Sequence, residues 1–181
     1  MEWKQIVIFG RKGQGKTTLA KNLLKKATRL IIIDPMAQCS GEGEPISSLD
    51  SFLTEITKPQ FRIVYTSTEL DYEIEKLLKM IFTIGNCWLL IDEIDFFCSP
   101  AYISEDLQKI VKYGRIRRIN LVFTSRRPFE VHRLVTSQAS DFYVFNIIEP
   151  RDIEYLNKIL PPLEAKKVPS LDKYKYINYS L

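Results

Sequence analysis

The sequence predicts an α/β fold, a three-layer sandwich in which helices cover both faces of a mostly parallel central sheet. Three observations support this class. Short apolar runs of strand length recur along the chain, stretches with helical periodicity alternate with them, and the first run leads directly into a glycine-rich loop. Unbroken apolar runs suit strands that are buried on both faces, as in a parallel sheet. Ligands of such folds bind at the carboxyl ends of the strands.

The glycine-rich loop lies between the apolar run Ile6–Phe9 and a helical pattern that we expect to end near Thr28. It reads Gly-Arg-Lys-Gly-Gln-Gly-Lys-Thr, the G-x-x-x-x-G-K-[ST] pattern of a phosphate-binding P-loop. The backbone N–H groups of such a loop converge on phosphate oxygens, and the following helix N-terminus adds positive potential. We therefore expect a nucleotide to be bound by Gly10, Arg11, Lys12, Gly13, Gln14, Gly15, Lys16, Thr17 and Thr18.

The elements of the first half alternate as the fold class requires. Residues 30–35 form an unbroken apolar strand, and residues 40–45 form a loop by composition. An amphipathic helix over Ser47–Thr57 ends at Lys58-Pro59, and a further strand covers residues 61–65. Ser67 or Thr68 then caps a helix whose apolar residues recur at helical spacing until Gly85.

The second half continues the alternation. Strands are predicted at residues 88–91, 120–125 and 142–146, the last of them closing the sheet. Helices are predicted from Ile103 to Gly114 and from Asp152 to Leu160. We expect one domain over residues 1–160 and an irregular tail, rich in lysine and tyrosine, over residues 161–181 that packs on the domain or extends from it.

Composition limits the compartment and the partners. A net charge of +4 permits a polyanionic partner without requiring one. Three widely spaced cysteines with a single histidine predict a reduced intracellular protein without structural zinc. The chain enters its first strand within a few residues of Met1, without a signal peptide, and no apolar run approaches the roughly 18 residues of a membrane span. We therefore expect a soluble, cytoplasmic protein.

Two adjacent acidic residues, Asp92 and Glu93, follow the apolar run 88–91. At the carboxyl end of a strand, Asp92 is suited to bind the Mg²⁺ that accompanies ATP, with the Thr17 hydroxyl as the ligand from the loop. Glu93 points the other way along the strand and is suited to polarise a water for attack on the γ-phosphate, while Lys16 would reach the β- and γ-phosphates. A solvated strand end is the alternative interpretation of the acidic pair.

The segment between Ile103 and Phe142 is rich in basic residues. Clustered arginines neutralise the phosphates of a nucleotide or of nucleic acid, although a charged run is also typical of a solvated surface. An arginine near the start of the strand 120–125, remote in sequence from the P-loop, would face the nucleotide of a neighbouring subunit and stabilise its transition state. The basic residues are Lys109, Lys112, Arg115, Arg117, Arg118, Arg126, Arg127 and Arg133.

The chain resembles the HerA/FtsK superfamily of ring-forming, DNA-translocating ATPases, and within it the compact genome-packaging ATPases of viruses. The resemblance extends nearly end to end and implies a P-loop NTPase fold of the RecA/ASCE type with ATP and Mg²⁺ as cofactors. Its most specific part is the strand exit at residues 124–128, Thr-Ser-Arg-Arg-Pro. The other matching segments are the P-loop, Asp34-Pro35, Asp92-Glu93, residues 112–115 and residues 135–145.

Position by position, the resemblance implies Lys16 and Thr17 at the phosphates and the metal, Asp92 at Mg²⁺ and Glu93 as the catalytic base. It implies Arg115 as the arginine that acts in trans, with Arg117 and Arg118 as rival candidates. The family usually has a γ-phosphate-sensing glutamine just before its Arg-Pro pair, where this chain has Arg126. Either Arg126 replaces the sensor with a charged contact, or the coupling of hydrolysis to movement is altered.

The function implied by the resemblance is an oligomeric ATPase that translocates double-stranded DNA into a capsid. DNA would be contacted through its backbone without sequence preference. The expected partners are duplex DNA, further copies of the chain in a pentameric or hexameric ring, and capsid or membrane-vertex proteins. The expected location is the host cytoplasm or the virion.

Other functions fit some of the same residues. A small nucleoside or nucleotide kinase fits the length and fold, although adjacent Asp92 and Glu93 favour hydrolysis and no arginine-rich lid insert is visible. An ATP-dependent phage assembly or secretion factor usually carries a membrane-spanning segment. A AAA+ machine is disfavoured because too little chain follows Asn146 for a helical lid. Adenine contacts are not assigned, and residues 149–152 are a candidate by position alone.

Overall fold

The computed structural model describes residues 3–181, whereas Met1 and Glu2, where the sequence predicts the lead into the first strand, lie outside the described residues. The helices in the described range are α1 (Lys16–Leu23), α2 (Leu49–Ile56), α3 (Leu70–Ile84), α4 (Glu105–Tyr113), α5 (Arg133–Ser137), α6 (Pro150–Leu156) and α7 (Pro162–Ala165). The strands are β1 (Gln5–Phe9), β2 (Arg29–Ile33), β3 (Glu44–Ile46), β4 (Phe61–Tyr65), β5 (Cys87–Ile91), β6 (Cys98–Ser99), β7 (Tyr102–Ile103), β8 (Ile119–Ser125), β9 (Asp141–Phe145) and β10 (Tyr176–Ser180).

The main sheet of residues 3–181 has eight strands in the order β10-β9-β1-β8-β5-β2-β4-β3. All its pairings are parallel except that of β9 with β10, which confirms the predicted α/β class with a mostly parallel sheet. Strands β1, β8 and β5 lie side by side near its centre, so their carboxyl ends meet at one edge. That edge carries the segments after Phe9, Ile91 and Ser125.

Alternating side chains of the central strands form two apolar layers, because successive residues of a strand point to opposite faces. Val7 and Phe9 of β1 belong to the larger core, which also contains buried residues of α2, α3 and α4. Ile6 and Ile8 belong to the smaller core, with Ala20 of α1. The sheet is therefore the middle layer of three, as the sequence predicts.

The helices follow the predicted pattern with shifted ends. α1 ends at Leu23, earlier than predicted, because the chain turns there and the Arg62 guanidinium donates to the carbonyls of Leu24 and Ala27. α3 begins at Leu70 without a side-chain cap and ends at Gly85, where φ is 57°. Among residues 3–181, no helix combines the length and apolar character that a bilayer crossing requires.

The prediction of an irregular tail is wrong, because residues 161–181 form α7 and then β10, which pairs antiparallel with β9. Ile177 is buried in the larger core, and Tyr176 lies edge-on to Tyr143 and Phe145. The surrounding lysines and exposed tyrosines obscure this alternation in the sequence. β9 is therefore not the last strand.

The other edge of the sheet also differs from the prediction. β3 forms within a stretch whose composition predicts a loop, and it pairs parallel with β4. Its middle residue, Pro45, has no N–H group, which is tolerated because β3 is an edge strand.

The burial of Ile177 makes the docking of the tail measurable. Ile177 is 8% exposed, so we expect Ile177→Ala to lower the free energy of unfolding by about 2 kcal/mol or more, measured by urea denaturation. Tyr72→Ala is the control, because Tyr72 is exposed on α3 and its replacement should change stability by less than about 0.5 kcal/mol. Equal stability of the two variants would contradict the docking of β10.

Candidate functional site

The P-loop connects β1 to α1 and depends on glycine at two points. Gly15 precedes α1 with φ 101°, in the left-handed region that favours glycine. At Gly10 the backbone lies so close to β9 that a Cβ there would be 2.6 Å from the Cβ of Phe145. Close approach at Gly10 and backbone conformation at Gly15 therefore shape the loop.

Asn146, directly after β9, ties the P-loop to the C-terminal tail. The Arg11 N–H donates to the Asn146 carbonyl at 3.4 Å, and the Arg11 guanidinium donates to its side-chain oxygen at 3.2 Å. The side-chain amide of Asn146 donates in turn to the carbonyls of Pro169 and Leu171, at 2.9 and 3.1 Å. Arg11, predicted to bind nucleotide, thus anchors the loop in this structure.

A cleft of about 450 Å³ opens in front of the P-loop, a volume suited to a small-molecule ligand. Of the predicted nucleotide-binding residues, Gly10, Arg11 and Gln14 are not among those that line it. Two lining residues, Gln38 and Tyr174, were not predicted. The full lining comprises Lys12, Gly13, Gly15, Lys16, Thr17, Thr18, Gln38, Glu93, Arg126 and Tyr174.

Thr17, which lines this cleft, contacts the buried Asp92 behind it. The Thr17 hydroxyl donates to the Asp92 carboxylate, with distances of 3.3 and 3.4 Å to its two oxygens. Desolvation raises the pKa of the buried Asp92, and the nearby Glu93 and Asp34 add to this effect, while hydrogen bonds from Thr124 and Thr17 oppose it. A hydroxyl and a carboxylate are hard oxygen ligands of the kind Mg²⁺ prefers, so the pair fits a nucleotide-bound magnesium ion.

Thr124 on β8 fixes both acidic residues after β5. Its hydroxyl donates to Asp92 Oδ1 at 2.7 Å and accepts from the Glu93 N–H at 2.8 Å. The backbone of Glu93 is left-handed, with φ 53°, an uncommon conformation for a residue other than glycine. Thr124 is thus a positioning residue that the prediction missed, although a polar residue near the end of the apolar run 120–125 was a visible signal.

Glu93 faces the cleft and lies between two cations. Its Oε1 is 3.5 Å from Lys16 Nζ and accepts a hydrogen bond from Arg126 Nε at 2.9 Å. Its Oε2 is buried and has no hydrogen-bond partner in the described part of the chain. Desolvation lowers the pKa of Lys16, and the negative charge of Glu93 opposes that shift. Both cations are thus close enough for an incoming phosphate to compete for them.

The loop after β2 places Asp34 and Cys39 close to Asp92, and neither of the two was predicted as a site residue. The two carboxylate oxygens of Asp34 accept the N–H groups of Gln38 and Cys39, at 3.0 and 2.7 Å. Asp34, Cys39 and Asp92 each place a ligand atom within 4.8 Å of the others. Burial raises the pKa of the Cys39 thiol far above its ordinary value, which keeps it protonated and suited to packing.

Arg115 lies far from this cleft. It precedes β8 at the amino edge of the sheet, a strand's length from the P-loop at the carboxyl edge. There it lines a second cleft of about 800 Å³ together with Lys26, Arg29 and Arg118. Arg117, the other rival candidate, donates to the carbonyls of Phe82 and Thr83 at the end of α3, so its side chain serves packing.

The segment 149–152, the positional candidate for adenine, has a structural role. Asp152 is fully buried and accepts from Arg127 Nε at 2.6 Å and from the Phe129 N–H at 3.0 Å. These bonds fasten α6 to the exit of β8. Residues 149–152 are not part of the lining of the P-loop cleft, where the tail instead contributes Tyr174.

Similarity to known proteins agrees with this geometry. A family model described as AAA domain matches residues 4–130. The chain is 24% identical over 194 residues to the DNA packaging ATPase P9 of Enterobacteria phage PRD1, covering 98% of this chain and 82% of P9. It also matches the genome packaging NTPase B204 of Sulfolobus turreted icosahedral virus 2 in two complexes. With AMP the TM-score is 0.82 at 25% identity, over 99% of this chain and 94% of B204. For the complex with AMPPCP the TM-score is 0.82 and the sequence identity is 24%, and the match covers 98% of this chain and 92% of B204.

These matches confirm the predicted fold and the predicted resemblance to viral packaging ATPases. The family match ends at residue 130, and the described chain continues beyond it with α5, β9, α6, α7 and β10. In the described structure, the chain after Asn146 returns to the sheet as β10.

Replacing Thr124 tests its bridge to the two acidic residues. Thr124→Val keeps the shape of the side chain but removes the partner of the buried Glu93 N–H and leaves Asp92 Oδ1 with only the longer bond from Thr17. We expect a loss of about 2 kcal/mol in the free energy of unfolding, measured by urea denaturation. Thr124→Ser keeps the hydroxyl and serves as the control. A valine variant as stable as the serine variant would show that the bridge contributes nothing.

Proposed function

Because this chain belongs to the AAA domain family, we propose that it hydrolyses ATP to drive double-stranded DNA into a viral capsid, as a translocase of the HerA/FtsK type. The observation that carries the proposal is the position of Glu93, which lines the P-loop cleft with its Oε1 3.5 Å from Lys16 Nζ and whose buried Oε2 has no hydrogen-bond partner among residues 3–181. The names of the relatives support the same direction, since P9 is a DNA packaging ATPase and B204 a genome packaging NTPase.

The proposed reaction uses the groups at the carboxyl edge of the sheet. Backbone N–H groups of the P-loop and the Lys16 ammonium bind the phosphates, and Thr17 with Asp92 would hold Mg²⁺, which would supply neutralisation of developing charge. Glu93 accepts a proton from the attacking water through its free oxygen. The water oxygen bonds to the γ-phosphorus as the bond to the ADP oxygen breaks.

Arg126 stands where the family that this chain resembles usually has its γ-phosphate-sensing glutamine, and it would make a charged contact in place of an amide contact. Its guanidinium is paired with Glu93 at 2.9 Å, and its side chain is one-third exposed. A γ-phosphate would compete for that guanidinium, because phosphate oxygens bind arginine strongly. We therefore assign Arg126 to sensing the γ-phosphate and releasing Glu93 for catalysis.

Assembly into a pentameric or hexameric ring is the second part of the proposal. Arg115 and Arg118 line the cleft at the amino edge, where they are a strand's length from their own nucleotide site. An arginine so placed would reach only the nucleotide of another subunit. A ring would also surround duplex DNA and contact its backbone phosphates, with capsid or membrane-vertex proteins as further partners.

The catalytic proposal predicts a separation of binding from turnover. Lys16→Ala should lose ATP affinity, whereas Glu93→Gln should keep it and lower kcat by roughly 100-fold or more, because only the base is removed. Calorimetry with Mg·ATP measures the affinity, and a phosphate-release assay measures the turnover.

Duplex DNA should stimulate hydrolysis by the wild type, and this stimulation should fall as the salt concentration rises. A wild type that hydrolyses no ATP with duplex DNA would refute the motor.

A mixing experiment tests the arginine in trans. Arg115→Ala should bind ATP normally and lose roughly 10³-fold in kcat. Mixing it with Glu93→Gln subunits should restore hydrolysis, because each Glu93→Gln neighbour supplies Arg115 to a site whose own Glu93 is intact. Arg133→Ala, at another exposed arginine, is the control and should keep wild-type turnover. Full activity of Arg115→Ala alone would exclude this residue.

A further inference from the structure

We propose that Tyr174, carried to the P-loop by the C-terminal tail, is the platform on which the nucleobase of the bound nucleotide stacks. This inference rests on the proposed ATP site and adds to it a subsite for a flat aromatic base. Tyr174 lines the P-loop cleft although it lies more than 150 residues after the loop.

The strand order indicates on which side of the P-loop the base lies. Glu93 follows β5, Arg126 follows β8, and both strands lie on one side of β1. These residues define the γ-phosphate end of the site. The base lies at the opposite end of a bound nucleotide and must extend to the other side of β1, toward β9 and β10. Tyr174 lies two residues before the start of β10 and is on that side.

The ring is exposed and held in place. It is 61% exposed, although its Cδ1 lies so close to the P-loop that a Cβ on Gly15 would be 3.3 Å away. The Lys173 ammonium lies over the ring, 4.8 Å from its centroid, and a base would stack on the opposite face. An exposed tyrosine at a cleft provides a large stacking surface at little cost in side-chain entropy.

The backbone around Tyr174 is held by hydrogen bonds on both sides. Tyr174 has φ 67°, a strained conformation for a bulky residue that persists only where its surroundings enforce it. The Lys175 N–H closes the turn onto the Asp172 carbonyl at 3.1 Å. On either side, Asn146 binds the Leu171 carbonyl and β10 pairs with β9. The ring is therefore presented to the cleft before any nucleotide binds.

A stacking platform favours aromatic bases without choosing among them, because every base has a π-face. Two ligands separate the base from the phosphates. Mg·ATP would contact both the P-loop and Tyr174, whereas inorganic tripolyphosphate contains only the phosphates. Calorimetric titration of the full chain with each ligand therefore isolates the contribution of the ring.

We expect Tyr174→Ala and Tyr174→Leu to weaken Mg·ATP binding by roughly 5- to 100-fold and to leave tripolyphosphate affinity within about twofold. Tyr174→Phe should keep ATP affinity. In Tyr174→Ala, the affinity for Mg·GTP should fall by as much as the affinity for Mg·ATP. Tyr72→Ala removes an exposed tyrosine on α3 and should bind both ligands as the wild type does.

Other outcomes overturn the inference. Unchanged ATP affinity in Tyr174→Ala would show that the base does not use the ring, and an equal loss for tripolyphosphate would show that Tyr174 only supports the P-loop. A wild type that binds ATP no more tightly than tripolyphosphate would refute the base subsite and leave the ATP site intact. A wild type that binds neither would refute the proposed function and the subsite together.

Discussion

Three ionisable side chains, Lys16, Asp92 and Glu93, are almost completely removed from water at the carboxyl edge of the sheet. Burying charge costs free energy unless partners compensate for the lost hydration. Here Lys16 and Glu93 lie within 3.5 Å of each other, and Thr124 binds Asp92. The compensation is incomplete, since Glu93 retains a buried oxygen without a hydrogen-bond partner among residues 3–181. The central strands thus hold at their ends a set of charges that a phosphate and its metal ion would complete.

The C-terminal tail is connected to the P-loop by hydrogen bonds. Asn146 binds the P-loop through Arg11 and the tail through the carbonyls of Pro169 and Leu171. A single amide therefore connects the loop that would hold the phosphates with the turn that carries Tyr174. β10 pairs with β9 beyond that turn, so the position of the turn is fixed from both sides. Because of these bonds, the geometry of the P-loop and that of the tail depend on each other.

The sequence predicts the central strands and the P-loop well because both depend on local patterns. Unbroken apolar runs and a glycine-lysine-threonine motif are visible in short windows, and they bring Thr17, Asp92 and Glu93 together. The contributions of Thr124 and Tyr174 depend instead on which strands are neighbours. β10 is obscured by exposed tyrosines and lysines, and its partner strand lies some 30 residues earlier. Arg115 is remote from the P-loop in sequence, but only the direction of β8 reveals that it lies at the opposite edge of the sheet.

The short strand β3 also has a consequence for how copies of the chain can meet. An open sheet edge is a template for another strand, and a chain that stacks in this way forms fibres. β3 has only three residues, and its middle residue, Pro45, has no N–H group to donate. An additional strand would meet a missing hydrogen-bond donor there, so the edge formed by β3 disfavours pairing of the sheet with another molecule on this side.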